Sequence, residues 1–283
     1  MLIRINNHVF LLTKMMKKIY LPLICIFLYS CGDEGGNPLN LSTKADNQAA
    51  KEKAKLAVEE IAFFYPGESS RQGNILTIGN FHNDEIPDGA GKMEWMGLFK
   101  NEKGWYLEET GILINRVRDE IVDAENEQTG WQITTTNPDT CFILIEEFPG
   151  IQKKKVERIL PDLTSLMPNQ TLDFSFKGIK YQLMAKGQTI QQTDWVDVKN
   201  YELLLKATIG GADYIDTLVM IPSYNEKFTT ILFVGDLDND RIPDWIIDTS
   251  NHYNTEEITI YLSKDAHRPK LLQVHASHAV VGC

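Results

Sequence analysis

"TTILFVGDLDNDRIPDWIID" (residues 229–248) sets an acidic loop between two apolar runs. The flanks 229–234 and 245–248 are short, rich in Ile, Val, Phe and Trp, and bounded by Gly and Pro. They read as two strands rather than two helices. Between them Asp236, Asp238, Asp240 and Asp244 place four like charges within nine residues. Carboxylates ~4 Å apart repel by about 1 kcal/mol even in water, so the spacing calls for a neutralising cation. Counted from Asp236, carboxylates fall at positions 1, 3, 5 and 9, and Ile242 at position 7 offers its backbone carbonyl. Odd spacing turns alternate groups toward one centre, which suits an all-oxygen Ca²⁺ cage; Mg²⁺ demands a stricter octahedron. Position 12 is Ile247, so the bidentate Glu of an EF-hand is missing, and Asp248 is the nearest substitute.

The loop resembles the Asp-rich calcium loop of FG-GAP/VCBS-type repeats, D-x-D-x-D-G-x-x-D between two β-strands. The resemblance implies Asp236, Asp238, Asp240 and Asp244 as side-chain ligands and Ile242 as the carbonyl ligand. Arg241 stands where that pattern has Gly. Such a position often requires φ > 0, which costs a non-Gly residue ~1 kcal/mol or more. An imperfect echo occurs at 79–88, "GNFHNDEIPD", identical to 235–244 at Gly79, Asn83, Asp84, Ile86, Pro87 and Asp88. A duplicated strand–loop–strand unit is the structural expectation. Its ligand positions have decayed to Asn80, His82, Asp84 and Asp88. The favoured reading is a turn that kept its shape and lost its ion, with a weak second site as the alternative.

Outward from the loop, short β-type runs continue at 74–78, 94–99, 105–109, 112–117, 132–135, 141–145, 171–176, 180–185, 201–208, 214–220, 257–262 and 270–276. Turn signals separate them, Lys177-Gly178 among them as a hairpin turn. Residues 152–159 are polar and basic and read as a turn or short helix. Trp95, Trp105, Tyr106 and Trp131 are spaced as sheet residues and read as core. A single helix is expected over 44–64, with Ala54, Ala57, Val58, Ile61 and Phe64 on one face. The fold class is therefore mainly β, in antiparallel sheets, with one N-terminal helix; α+β is the alternative. The body spans 44–283, with a candidate subdomain boundary at 161–169.

The N-terminus reads as targeting rather than fold. Residues 1–30 carry Arg4, Lys14, Lys17 and Lys18 and no acid. From Met15 or Met16, the expected true start, a basic stretch leads into an apolar run too short to span a bilayer. Leu28-Tyr29-Ser30-Cys31 resembles the bacterial lipobox. The resemblance implies lipidation at Cys31, a tether over 31–43, membrane attachment through lipid, and a place in the bacterial cell envelope, at the outer membrane.

The net charge of −11 becomes more negative once the basic leader is removed, which argues against a nucleic-acid partner. Cys141 and Cys283 are the remaining thiols and a candidate disulfide in an oxidising compartment. HExxH, G-x-S-x-G and P-loop motifs are missing from the sequence. His275 and His278 read as stacking or solvated residues. Asn251, His252, Tyr253 and Asn254 read as a capped hairpin turn, and Asp119, Glu120 and Asp123 as loop acids rather than a glycosidase pair. The leading expectation is a non-enzymatic lipoprotein with a structural Ca²⁺ loop, a binding or surface-architecture role, and a protein or glycan ligand. The alternatives are a secreted hydrolase or accessory subunit of a polysaccharide-handling system, and a module of an adhesive surface assembly.

Overall fold

Asp-Trp-Ile-Ile-Asp, residues 244–248, lacks the polar alternation of a half-exposed strand, and all five residues are buried. Such a strand needs cover on both faces. The computed structural model, which describes residues 64–67, 73–160, 164–193, 196–263, 266 and 270–282, supplies that cover with sheets on either side.

The described strands are β1 (Ile75–Leu76), β2 (Gly79–Phe81), β3 (Trp95–Asn101), β4 (Gly104–Thr110), β5 (Ile112–Val117), β6 (Gly130–Thr135), β7 (Thr140–Glu146) and β8 (Lys154–Val156). They continue with β9 (Thr171–Phe176), β10 (Ile179–Gln191), β11 (Val196–Ile209), β12 (Ala212–Ser223), β13 (Thr230–Gly235), β14 (Asp244–Asp248), β15 (Thr255–Leu262) and β16 (Gln273–Val281). They form four antiparallel sheets, in the orders β1-β7-β3-β4-β8, β12-β11-β10-β9, β13-β14-β15-β16 and β2-β6-β5. The mainly-β, antiparallel expectation holds for the described residues. The helix expected over 44–64 lies outside them, apart from Phe64.

Three apolar clusters lie between successive sheets. Trp245 and Ile247 of β14 join Tyr181, Leu183, Leu203 and Leu205 of the β9–β12 sheet. Ile246, one residue away and so on the opposite face, joins Phe233, Ile260, Leu98 and Ile143 beside the five-stranded sheet. The third cluster joins Leu76, Phe99 and Leu144, on the far face of the five-stranded sheet, to Phe81 and Ile133 of the β2-β6-β5 sheet. The β13–β16 meander thus has an apolar cluster on each face, which is why β14 is buried along its whole length.

Lys177 and Gly178 both take positive φ, 49° and 86°, and Phe176 pairs with Ile179 across them. This is the hairpin turn expected there, and the two positive φ values are those of the type I′ class. Residues 152–159 form neither a turn nor a helix, as their polarity implied. They contain β8, a short edge strand on β4, and continue to β13, where Ile159 N–H donates to Val234 O at 2.8 Å. Gly235 permits this approach, since a β-carbon there would lie 2.9 Å from Glu157 O. Polarity misled because lysines commonly blunt an edge strand.

The 79–88 echo differs from the hairpin it resembles. β2 pairs with β6, whereas β13 pairs with the strand that follows its own loop. The shared residues therefore describe a turn and not a repeated hairpin. Cys141 is a buried free thiol in β7, its pKa pushed up to about 12 by burial; Cys283 lies outside the described residues. Trp95 is buried, whereas Trp105, Tyr106 and Trp131 are half-buried against the clusters.

Candidate metal centre

Gly235 and Asp244 are the last β13–β14 pair, so residues 236–243 form the hairpin connection. Within it, one carboxylate oxygen each from Asp236, Asp238 and Asp244 lies within 4.8 Å of the others. Oxygens on a shell 2.3–2.6 Å from one ion are at most about 5 Å apart, so this separation is compatible with a shared cation. It is the one such His/Cys/Asp/Glu group among the described residues.

Asp244 is the anchor. It is fully buried, and its Oδ2 accepts the N–H groups of Leu237 at 2.6 Å and Asp238 at 3.3 Å. Its Oδ1 accepts Ser263 N–H at 2.9 Å. Burial pushes the Asp244 carboxyl well above the ordinary carboxylate range, and the neighbouring charge of Asp238 adds to the rise. A buried carboxylate in this position is stabilised by a cation or takes a proton.

The remaining acids hold the loop's shape through bonds from carboxylate to nearby backbone. Asp236 Oδ1 accepts Asn239 N–H at 2.6 Å, and its Oδ2 accepts Arg241 N–H at 3.2 Å. Asp238 Oδ1 accepts Asp240 N–H at 3.2 Å. Asp240 stands outside the convergent trio: its Oδ1 accepts Ile242 N–H at 2.8 Å and its Oδ2 lies 2.8 Å from Ser263 Oγ. Asp248 is not a ligand substitute. It sits at the far end of β14, ~13 Å along the strand from Asp244, in an ion pair with Lys227 at 2.9 Å.

Two contributors were illegible at sequence level. Ser263 follows β15 and reaches the loop only through the β14–β15 register, Trp245 opposite Tyr261. Lys154 of β8 brings its Nζ to 3.4 Å from Asp236 Oδ1. No local spacing announces a partner 82 residues away.

Arg241 takes φ 75°, the left-handed conformation inferred for a Gly position. Arg241→Gly is expected to stabilise the protein by ~1 kcal/mol and to tighten cation binding by removing a nearby positive charge. Urea unfolding with and without Ca²⁺ measures both effects.

Asn80, His82, Asp84 and Asp88 do not gather in the same way. Asp84 and Asp88 are exposed, and Asn80 Oδ1 accepts Gln132 Nε2 at 3.4 Å. His82 Nδ1 instead pairs with Asp119, whose side chain is 4% exposed. That hydrogen bond raises the His82 pKa above 6.5 and holds Asp119 below the usual carboxylate range. A raised His contributes stability that is complete below its unfolded pKa and is lost as pH rises through the folded value. A lowered Asp contributes stability that is lost as pH falls through its folded value. The pair is therefore strongest in the window between about 4 and 6.5. His82→Gln should destabilise more at pH 5.5 than at pH 8.5, approximate settings chosen on either side of the His transition. Urea midpoints at the two pH values check this.

Other residues singled out in the sequence have structural partners. His278 Nε2 donates to Glu85 O at 2.6 Å, and His275 packs 4.5 Å from Phe148. Asp123 accepts Asp119 N–H at 2.8 Å and Thr129 N–H at 2.7 Å, while the exposed Glu120 pairs with Arg118. Thr255 N–H to His252 O at 3.1 Å closes the turn at 251–254.

Comparison with protein-family models, with curated proteins and with solved structures found no match. The functional reading therefore rests on the loop's own geometry.

Proposed function

We propose that the 236–244 loop is a structural Ca²⁺ site in a lipid-anchored envelope protein whose role is binding or surface architecture rather than catalysis. The observation that carries the cation is the convergence of Asp236 and Asp238 on Asp244, a carboxyl at 0% exposure with its charge disfavoured by burial. The ion would be held by those three carboxylates, with Asp240 and the Ile242 carbonyl completing the sphere, as the FG-GAP/VCBS resemblance implies. All donors are hard oxygens, which favours Ca²⁺ over softer metals. Binding energy then becomes folding energy, because the acidic turn assembles only in the native chain.

The anchor rests on the basic leader and the Leu28–Cys31 motif, and the outer-membrane assignment on the same residues. Metabolic labelling with palmitate tests it: label on the wild type and none on Cys31→Ala is expected, and equal labelling contradicts it. The cation is tested by melting the protein in Ca²⁺ and in EDTA. A higher melting temperature in Ca²⁺ is expected, and coincident melts contradict the proposal.

A further inference from the structure

Lys154 reaches the acidic loop from a distant strand, and sheet pairing dictates its aim. Along the β4 edge Leu107 pairs with Lys154 and Trp105 with Val156. Residues two apart on a strand share a face, so Lys154 lies on the side of Val156, which is buried in one cluster with Phe233 and Leu237. Leu237 belongs to the loop itself. Just beyond β8 the chain is fastened to β13: Arg158 Nη2 donates to Leu232 O at 2.5 Å, and Ile159 N–H to Val234 O at 2.8 Å. Lys154 Nζ is thereby delivered to 3.4 Å from Asp236 Oδ1, with the two side chains only 17% and 13% exposed. Lys155, on the opposite face, is exposed.

An ammonium so placed is a cation tied to the chain. It neutralises Asp236 as a compact point charge, where a metal ion would do so by coordination. Two cations cannot share that carboxylate at no cost. An ion bound to Asp236 Oδ1 would lie at most about 6 Å from Nζ, a Ca–O bond of about 2.6 Å added to the 3.4 Å contact. Where water is largely excluded, repulsion at that range is weakly screened. Binding a divalent ion therefore requires the ammonium to withdraw on its flexible four-carbon stem. We propose that Lys154 is a tethered counter-ion of the loop: it occupies the Asp236 corner when no metal is bound, and its displacement sets how tightly Ca²⁺ is held. The residue stabilises the metal-free hairpin at the expense of the metal-bound one, which favours an exchangeable ion over a permanently held one. The proposal rests on the calcium reading above and adds to it the residue that tunes affinity.

Calorimetric titration of the full chain with CaCl₂ tests it, beside urea unfolding in EDTA. Lys154→Met should lower the Ca²⁺ Kd by about tenfold or more, which corresponds to removing roughly 1.4 kcal/mol of competition. It should also lower the urea midpoint in EDTA, where Asp236 has lost its counter-charge. Lys154→Gln should shift both in the same directions. Lys154→Arg keeps the charge, and Lys155→Met removes one from the exposed opposite face; both should stay within about threefold of the wild-type Kd. A lysine that merely packed against the loop would lower stability without tightening the ion, so the opposed signs are diagnostic. The proposal is overturned if wild type binds Ca²⁺ and both Lys154→Met and Lys154→Gln bind it no more tightly, if their EDTA midpoints do not fall, or if Lys155→Met tightens binding as much. If neither wild type nor the Lys154 variants bind, the calcium reading fails and this proposal fails with it. A Lys154→Met that binds where wild type is silent upholds the competition and contradicts only occupancy of the native loop.

Discussion

Asp244→Ala should be the most damaging single change in the loop, and its effect should have two separable parts. In EDTA the loss is structural. The carboxylate accepts the N–H groups of Leu237 and Ser263 at 2.6 and 2.9 Å in a fully buried setting. Alanine leaves both donors without their acceptor, at about 1–3 kcal/mol each, so unfolding stability should fall by about 2–6 kcal/mol. In Ca²⁺ the loss should be larger still, because the variant also forfeits the binding increment, about 2.7 kcal/mol at a hundredfold excess over Kd. Asp244→Asn separates the parts. Its amide oxygen still serves one donor group, so the EDTA loss should be smaller, about 1–3 kcal/mol, while the Ca²⁺ increment should vanish as fully as in the alanine variant. Paired urea titrations of the three proteins give all of these differences. A Ca²⁺ increment that survives in Asp244→Asn would exclude Asp244 as a ligand.

Trp245→Ala tests the other half of the account, that β14 is sandwiched between sheets. Trp245 is 0% exposed and lies in the cluster between the β13–β16 and β9–β12 sheets, with its ring 5.8 Å from Phe174. Removing it should cost about 3–5 kcal/mol through lost burial and the cavity left behind. Its indole Nε1 has no hydrogen-bond partner among the described residues. Trp245→Phe therefore sacrifices no bond and should cost only about 1–2 kcal/mol. The exposed Leu113, at 50%, provides the contrast, since Leu113→Ala should stay within about 0.5 kcal/mol of wild type. Urea midpoints rank the three, and a small cost at Trp245→Ala would contradict the layered packing.

Strand positions were readable because period-2 patterns and Gly or Asn turns are local, as at Lys177-Gly178. The acid spacing of the loop, and the left-handed backbone at Arg241, were readable for the same reason. Layering was not, because it depends on which faces of distant strands meet. Residues 244–248 hinted at two-sided burial through their lack of alternation, yet nothing local names Tyr181 or Phe233 as neighbours. The same limit hid Lys154 and Ser263, which reach the loop only through sheet pairing. It also made Asp240 look equivalent to the convergent trio, and Asp248 a substitute for the missing position-12 ligand. Spacing reports which side chains alternate, whereas in the fold Asp240 accepts Ile242 N–H and lies against Ser263, and Asp248 pairs with Lys227. The 79–88 echo shows the converse: six shared residues preserved a turn, and the neighbouring strand pairing still diverged.

A crystal structure of the protein grown in Ca²⁺, read by anomalous scattering, tests the central claim most directly. The account predicts a single ion within about 2.3–2.6 Å of carboxylate oxygens from Asp236, Asp238 and Asp244, with Lys154 Nζ moved away from its 3.4 Å contact with Asp236. An anomalous map without a peak at the loop, with Lys154 still paired to Asp236 and the Asp244 carboxyl holding only its hydrogen bonds to Leu237, Asp238 and Ser263, would contradict it.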